Sequence, residues 1–456
     1  MNAALASLAP TSASAMALIS DSPVEDRLAT AILTVAAESP DRTAIVSKAG
    51  SPGRTITDYA TLAARVAKLE SQLDAARPIG VVARVQTPES LVVLAAACGR
   101  QHVPLAVLAD DAGDLAGELA DWLVLDDSLE IPFQAAGPKG EFETVAPTIW
   151  VATSGTSGPP KLVDHSWDSL LAAARLSDQW HSLAWILVYD AKRWAGMQVW
   201  LQALLTGGRL VVPAARDPDV VARAIAEEGV SILPGTPTLL RRLISSAEPA
   251  LVAACGLERI TLGGEAADAA LLANLAAAFP QAKISQVYAT TELGEVFRVQ
   301  DGRSGFPAIW ISRALPGGAR LSVRRDGELI VQLSRDTAEV ATGDLVERQG
   351  DRFEFVGRRS DVIVVGGAKV FPKRVEELLR LVPGVAEARV FGVPSPITGE
   401  LVAAEIVAEP EAGWEQLRSL VLERCRESLE PHCVPRVLTL VERIVTTSAG
   451  KVPRRR

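Results

Sequence analysis

The sequence predicts an α/β fold, with a large N-terminal domain of wrapped parallel or mixed sheets and a small C-terminal α+β domain. Three observations carry that expectation. The chain has 456 residues, 48% of them apolar, enough to bury a large core and to form more than one domain. Short apolar runs alternate with amphipathic helical patterns, as parallel sheets covered on both faces require. From Gly327 the pattern changes to shorter strands, and a compact unit of about a hundred residues, a normal domain size, follows Gly357.

Taken in order, Thr148 to Ala152 is an apolar strand. Thr57 to Ala75 carries Tyr59, Leu62, Val66, Leu69 and Leu73 at helical spacing, the signature of an amphipathic helix. Ile79 to Ala83 reads as a buried strand and Ser90 to Cys98 as a buried helix. The alternation continues with helix Trp194 to Leu205, strand Arg209 to Val212, helix Val220 to Glu227, and strands Val230 to Leu233 and Ile284 to Val287. The later strands are Glu328 to Leu333 and Phe353 to Val356. The last unit then holds strand Val362 to Val365, helix Pro372 to Leu381, and strands Val385 to Val390 and Leu401 to Val407. Helix Trp414 to Leu429 and strand Arg436 to Leu440 complete it. The domains therefore span 1–357 and 358–456, meeting at the polar turn Arg358 to Asp361.

Composition narrows the class. A formal net charge of −9 argues against nucleic acid or an anionic membrane as partner. No apolar run reaches bilayer-spanning length. Met1 to Ser20 carries no Lys or Arg, so it lacks the basic start of a secretory signal and reads as a tail or the start of a helix. Cys98, Cys255, Cys425 and Cys433 have no metal-ligand spacing, which predicts reduced thiols in a cytoplasmic protein.

The most informative stretch is Thr153-Ser154-Gly155-Thr156-Ser157-Gly158-Pro159-Pro160-Lys161. Glycines let the backbone turn several N–H groups into one concavity, hydroxyls add donors, and Lys161 adds a cation, a combination that suits phosphate. It lacks the Gly-Lys-Ser/Thr of the phosphoryl-transfer loop. Downstream follow Leu262-Gly263-Gly264-Glu265, Tyr288-Ala289-Thr290-Thr291-Glu292, Ala341-Thr342-Gly343-Asp344 and Gly357-Arg358-Arg359-Ser360-Asp361. After them come Gly366-Gly367-Ala368-Lys369-Val370-Phe371-Pro372 and Ser448-Ala449-Gly450-Lys451. Singly, each has a plain reading: a Tyr at a strand end is core, and an Asp after Gly is a turn residue. In this order and spacing the set resembles the acyl-adenylate-forming superfamily, which includes acyl- and aryl-CoA ligases, peptide-synthetase adenylation domains and luciferases. The likeness runs from about residue 55 to the end.

That resemblance implies ATP, Mg²⁺ and coenzyme A as cofactors and a small carboxylic acid as substrate. It implies that Thr153 to Gly158 and Lys161 wrap the β- and γ-phosphates, and that Thr291 bonds the α-phosphate. Glu292 would ligate Mg²⁺, a hard cation that takes carboxylate oxygen. Tyr288 would stack on adenine, with Gly264 and Glu265 on its other side. Asp344 would accept both ribose hydroxyls with Arg358 close by, and Lys451 would bridge carboxylate and α-phosphate during adenylation. It further implies a mobile small domain that turns about Ser360 and brings Gly366 and Gly367 to the thiol tunnel. The chain departs from the family pattern at Ser360, where Asp or Lys is usual. It departs again at Ala289, in place of Gly, and at Arg193, in place of His within Arg193-Trp194-Ala195-Gly196. Segment 330–342 is short and lacks the usual Gly-Tyr loop. With Arg193, Trp194, Gly196 and Ala289 at the acyl pocket and Met197 and Trp185 adding apolar wall, the expected acid is compact and flat. Arg193 has two readings, a partner for a polar substituent or a structural ion pair. The expected activity is an AMP-forming acid–thiol ligase using coenzyme A. The rivals are an adenylating enzyme serving a separate carrier protein or an amine, and a silent nucleotide-binding relative, against which Lys161, Lys451 and Glu292 argue.

Overall fold

The computed structural model describes residues 12–110, 115, 119–131, 148–153, 161–181, 183–409 and 412–445. The chain forms two compact units, one of residues 1–264 with 275–295, the other of residues 265–274 with 296–456.

The first unit contains strands of two mainly parallel sheets. In one, the order is Leu123–Leu125, Val81–Ala83, Leu105–Val107, Thr148–Ala152, Leu162–Ser166. Only its last pair is antiparallel. In the other, Lys283–Thr290, Arg259–Gly263, Ile232–Gly235, Ala184–Ile186, Arg209–Pro213 and Thr43–Ala49 run parallel in that order. Thr55–Asp58 closes one edge antiparallel, and Gly294–Val299 forms the other, carrying the chain out of the unit.

Helix starts follow local chemistry. Asp58 accepts the Thr61 N–H at 2.7 Å and starts helix Tyr59–Ala76. Thr87 caps Pro88–Arg100, and Asp217 caps Pro218–Glu227, each with Pro in the first turn, where its missing N–H is no loss. That cap starts the last helix two residues before the expected Val220. Helix Trp194–Leu205 is buried along nearly its whole length. Tyr59 and Trp200 are wholly buried, and each pairs its polar tip with a backbone carbonyl, Gly208 at 2.7 Å and Ala191 at 3.1 Å, as buried Tyr and Trp require.

The second unit contains two antiparallel systems. The first has the order Phe306–Pro307, Arg352–Arg358, Val340–Gln349, Glu328–Gln332, Arg320–Val323. Its aromatic side is built from Phe297, Phe306, Trp310 and Phe353 in mutual ring contact. The short turn Arg359–Asp361 then leads to the sheet Ala368–Val370, Ile363–Val365, Gly399–Ala408, Val385–Ser395, with Val437–Leu440 parallel to Gly399–Ala408. Helices Pro372–Leu379 and Trp414–Ser428 pack on it. Val385–Ser395 runs five residues beyond the expected Val390 because it pairs along its length with Gly399–Ala408. Helix Pro372–Leu379 ends two residues before the expected Leu381 and four before Pro383, ahead of Val382, whose helical backbone the proline disfavours.

The four cysteines are free thiols. No helix among the described residues is long and apolar enough to cross a membrane.

Candidate active site

In the first unit, the sequence-predicted residues gather at strand ends. Parallel pairing aligns Gly263 with Val287, so Gly264 leaves its strand beside Tyr288. The carboxyl ends of parallel strands are where ligands of α/β sheets bind. Gly264 has φ +82°, a left-handed turn that glycine takes without strain, and the Tyr189 hydroxyl donates to the Gly263 carbonyl at 3.3 Å. Tyr288 and Ala289 lie half-buried near the end of Lys283–Thr290. The Thr290 hydroxyl accepts the Leu293 N–H at 3.1 Å, fixing the turn that displays Thr291 and an exposed Glu292. A single exposed carboxylate suits Mg²⁺, which keeps most of its waters and shares phosphate oxygens.

Thr153 and Lys161 close the neck of the phosphate-type loop. The Thr153 N–H donates to the Lys161 carbonyl at 2.8 Å, and the Lys161 N–H donates to the Thr153 hydroxyl at 3.1 Å. The loop thus joins two antiparallel strands, with Ala152 opposite Leu162. Ser154, Gly155, Thr156, Ser157, Gly158 and Lys451 lie outside the described residues.

Arg193 and Trp194 begin their helix beside this hairpin. The buried Arg193 guanidinium donates to the Ala152 carbonyl at 3.0 Å, which anchors the strand leading into Thr153. Trp194 lies against the His165 ring, centroids 4.4 Å apart. A Cβ built on Gly294 would stand 3.4 Å from the Trp194 ring. Gly196 serves close packing, since a Cβ there would fall 2.0 Å from the Asp190 carbonyl oxygen.

His165, Lys192 and Gly294 escaped the sequence reading. His165 follows the loop lysine by four residues, and its spacing was the available signal. Burial pushes its imidazole below the ordinary histidine value, against the opposing pull of the Thr291 backbone, Asp164 and Glu292. Lys192 is buried and pairs with Asp110 at 2.5 Å.

In the second unit, Asp344 is buried and receives the Arg358 Nε at 3.0 Å. The two stand opposite each other on neighbouring strands. Gly343 takes φ +73°, turning the chain so that the Asp344 N–H donates to Thr342 Oγ1 at 3.1 Å. A carboxylate braced in this way fits a pair of vicinal hydroxyls, which need two acceptor oxygens held in place. Glu265 belongs to the segment 265–274 that clusters with this unit. Ser360 sits in the turn Arg359–Asp361, its hydroxyl bonded to Asp361 at 2.9 Å. Gly366 and Gly367 have φ +58° and +89° and join strands paired Val365 to Ala368, the two-residue hairpin that demands positive φ at both positions.

The family model for the AMP-binding enzyme matches residues 69–329, and that for the AMP-binding enzyme C-terminal domain matches residues 374–451. The chain belongs to the AMP-binding enzyme family. Both of its parts match models of that family. A feruloyl-CoA synthase of Amycolatopsis sp is 28% identical over 336 residues, covering 66% of this chain and 67% of its own. A medium/long-chain-fatty-acid–[acyl-carrier-protein] ligase, FadD10 of Mycobacterium tuberculosis, is 26% identical over 355 residues, covering 68% and 65%. Among solved structures, the anthranilate CoA ligase AuaEII in complex with anthranoyl-AMP superposes with TM-score 0.74 at 17% identity, over 95% of this chain and 97% of that one. At that identity the likeness concerns the fold, the same two-part α/β architecture that the sequence predicts.

Proposed function

We propose that the protein activates a compact, flat carboxylic acid as its acyl-adenylate, releases pyrophosphate, and passes the acyl group to coenzyme A. The observation that carries the choice of acid is Trp194, held between His165 and Gly294 at a helix start that the family pattern associates with the acyl pocket. Two aromatic rings packed at that helix start favour a flat acid over a long chain. Arg193 supports the same reading from the other side: bonded to the Ala152 carbonyl, it serves the strand before Thr153 rather than a substrate substituent.

Each group has a task set by charge. Carboxylate and α-phosphate are both anionic, so joining them needs a cation where charge builds; Lys451 is the residue for it. ATP supplies the leaving pyrophosphate and Mg²⁺ screens the phosphates. Lys161 and the hydroxyls of Thr153 to Ser157 hold phosphate oxygens, Thr291 the α-phosphate, Glu292 the cation, and Tyr288 with Gly264 and Glu265 the adenine. Asp344 with Arg358 orients the ribose. The small domain begins at Arg358 and turns about Ser360, whose short side chain permits the backbone change, and Gly366 with Gly367 then lets the thiol approach closely.

Coenzyme A is favoured as acceptor by the Gly366-Gly367-x-x-Val370-x-Pro372 form and by the feruloyl-CoA synthase relative. A carrier-protein phosphopantetheine is the second reading, favoured by the relative that acts on acyl carrier protein. Carboxylate-dependent ATP–pyrophosphate exchange over aryl, short-chain and long-chain acids tests the proposal. The expected result is exchange strongest with an aryl or short acid and reduced at least about 100-fold in Lys451→Ala, the size of a lost transition-state charge contact. Adding coenzyme A, then a carrier protein, identifies the acceptor. Exchange strongest with long-chain acids overturns the reading of the pocket.

A further inference from the structure

We infer that Glu328 is a positioning residue that joins the Asp344 turn to the arginine beside the hinge; this rests on the nucleotide and hinge roles proposed above. Glu328 opens its strand with a buried side chain, and its two oxygens face different tasks. Oε1 accepts the Gly343 N–H at 3.1 Å. Oε2 accepts Arg359 at 2.9 Å and Arg324 at 3.0 Å.

The first contact fixes the turn from which Asp344 projects. Thr342 donates its hydroxyl to the Leu329 carbonyl at 2.8 Å and accepts the Asp344 N–H. Glu328 and Leu329 thus hold residues 342 and 343 from one neighbouring strand, and Arg358 holds the Asp344 carboxylate from the other. Gly343 has a left-handed backbone, and its N–H needs a fixed acceptor to keep that turn single-valued. A buried carboxylate meets the need more firmly than water would.

The second contact reaches the polypeptide one residue before Ser360. Arg359 also bonds Asp326 at 2.5 Å, and the Glu328 N–H returns to Asp326 at 3.3 Å. Two carboxylates and two guanidiniums therefore balance in charge around one buried side chain. Rotation about Ser360 must carry Arg359 or strain its bonds, so movement at the hinge is felt at the oxygen pair that also holds Gly343. The linkage is short, contiguous and made of discrete bonds, as energetic coupling requires.

The test uses the full-length enzyme with its best acid and separates the two half-reactions. Glu328→Ala is expected to raise the KM for ATP in pyrophosphate exchange about tenfold with kcat changed less than about threefold, the pattern of a loosened binding group. Glu328→Gln, whose amide oxygen still accepts the Gly343 N–H, is expected to restore that KM to within about threefold of wild type. Arg359→Ala and Glu328→Gln should each alter thioester formation from preformed adenylate by about fivefold or more, in the same direction. The double variant should go no further than the more affected single, because both remove the Glu328–Arg359 bond. Unchanged KM in Glu328→Ala, or additive effects on the second half-reaction, overturns the inference. Asp344→Ala separates this from the underlying reading. If it leaves the KM for ATP unchanged, the nucleotide assignment itself fails; if it raises the KM while Glu328→Ala does not, only the role of Glu328 falls.

Discussion

In the first unit, Trp200, Tyr59 and Ile45 lie wholly buried around mainly parallel strands. In the second, Glu328, Asp344, Glu376, Arg389 and Glu405 lie buried among antiparallel strands. Parallel sheets are covered on both faces and so select apolar side chains. Their strand ends still place Gly264, Tyr288 and the Thr291 turn, because position there comes from backbone register rather than side-chain charge. Hydrophobic burial has no direction. Aiming a carboxylate such as Asp344 requires directed bonds, and the second unit supplies them as Arg358, Thr342 and Glu328. Glu89, Lys192, Arg193 and Glu228 are exceptions in the first unit, and Lys192 and Arg193 immediately precede Trp194.

The sharpest way to test this contrast is to damage each unit where its own kind of cohesion is concentrated. Trp200→Ala removes a wholly buried indole and its bond to the Ala191 carbonyl, and should lower stability by about 3–5 kcal/mol. In urea unfolding this should appear as a lower midpoint for the first unit. Arg389 and Glu405 pair at 3.0 Å, both buried, in the second unit. Arg389→Met leaves Glu405 without that cation and should lower stability by about 3 kcal/mol, whereas Arg389→Met with Glu405→Leu should return to within about 1 kcal/mol of wild type. A double variant no better than the single would mean that packing of Arg389 over the Phe391 ring, 4.7 Å away, matters more than charge.

The same contrast explains what could be read before the fold was known. Apolar periodicity located Tyr59–Ala76 and Trp194–Leu205 almost to the residue, because burial imposes a helical repeat on sequence. Gly343-Asp344 and Gly357-Arg358 were legible only through their place in the ordered motif set and the resemblance it carries, since an Asp after Gly taken alone reads as a turn residue. The turn Arg359–Asp361 between two strands was expected and is observed. Glu328 was visible only as a strand start. Its partners Gly343 and Arg359 are 15 and 31 residues away, and no local pattern connects them. Arg352 is similar: buried on Asp301 at 2.6 Å, it looks in sequence like one more exposed arginine. Gly196 carries a close approach that no local pattern shows, since a Cβ there would fall against the Asp190 carbonyl oxygen.

His165 carries the smallest expected effect and the one that links both kinds of cohesion, a titratable ring held by apolar burial. Its imidazole is pushed down mainly by burial under Trp194 and its surroundings, while the Thr291 backbone, Asp164 and Glu292 pull the other way; its Nδ1 stands 3.3 Å from the Ser169 hydroxyl. The depressed folded value means that the unfolded chain takes up a proton first as pH falls. The stabilising contribution is therefore complete above the unfolded value near 6.5 and is lost as pH drops below it toward the folded value. Wild type should lose thermal stability between about pH 7.5 and 5.5 more steeply than His165→Gln, which keeps a polar group but cannot titrate there. Parallel curves for the two proteins would show that the ring takes up its proton equally in the folded and unfolded states, so that burial does not depress it, and would move the pH sensitivity of the fold to other ion pairs.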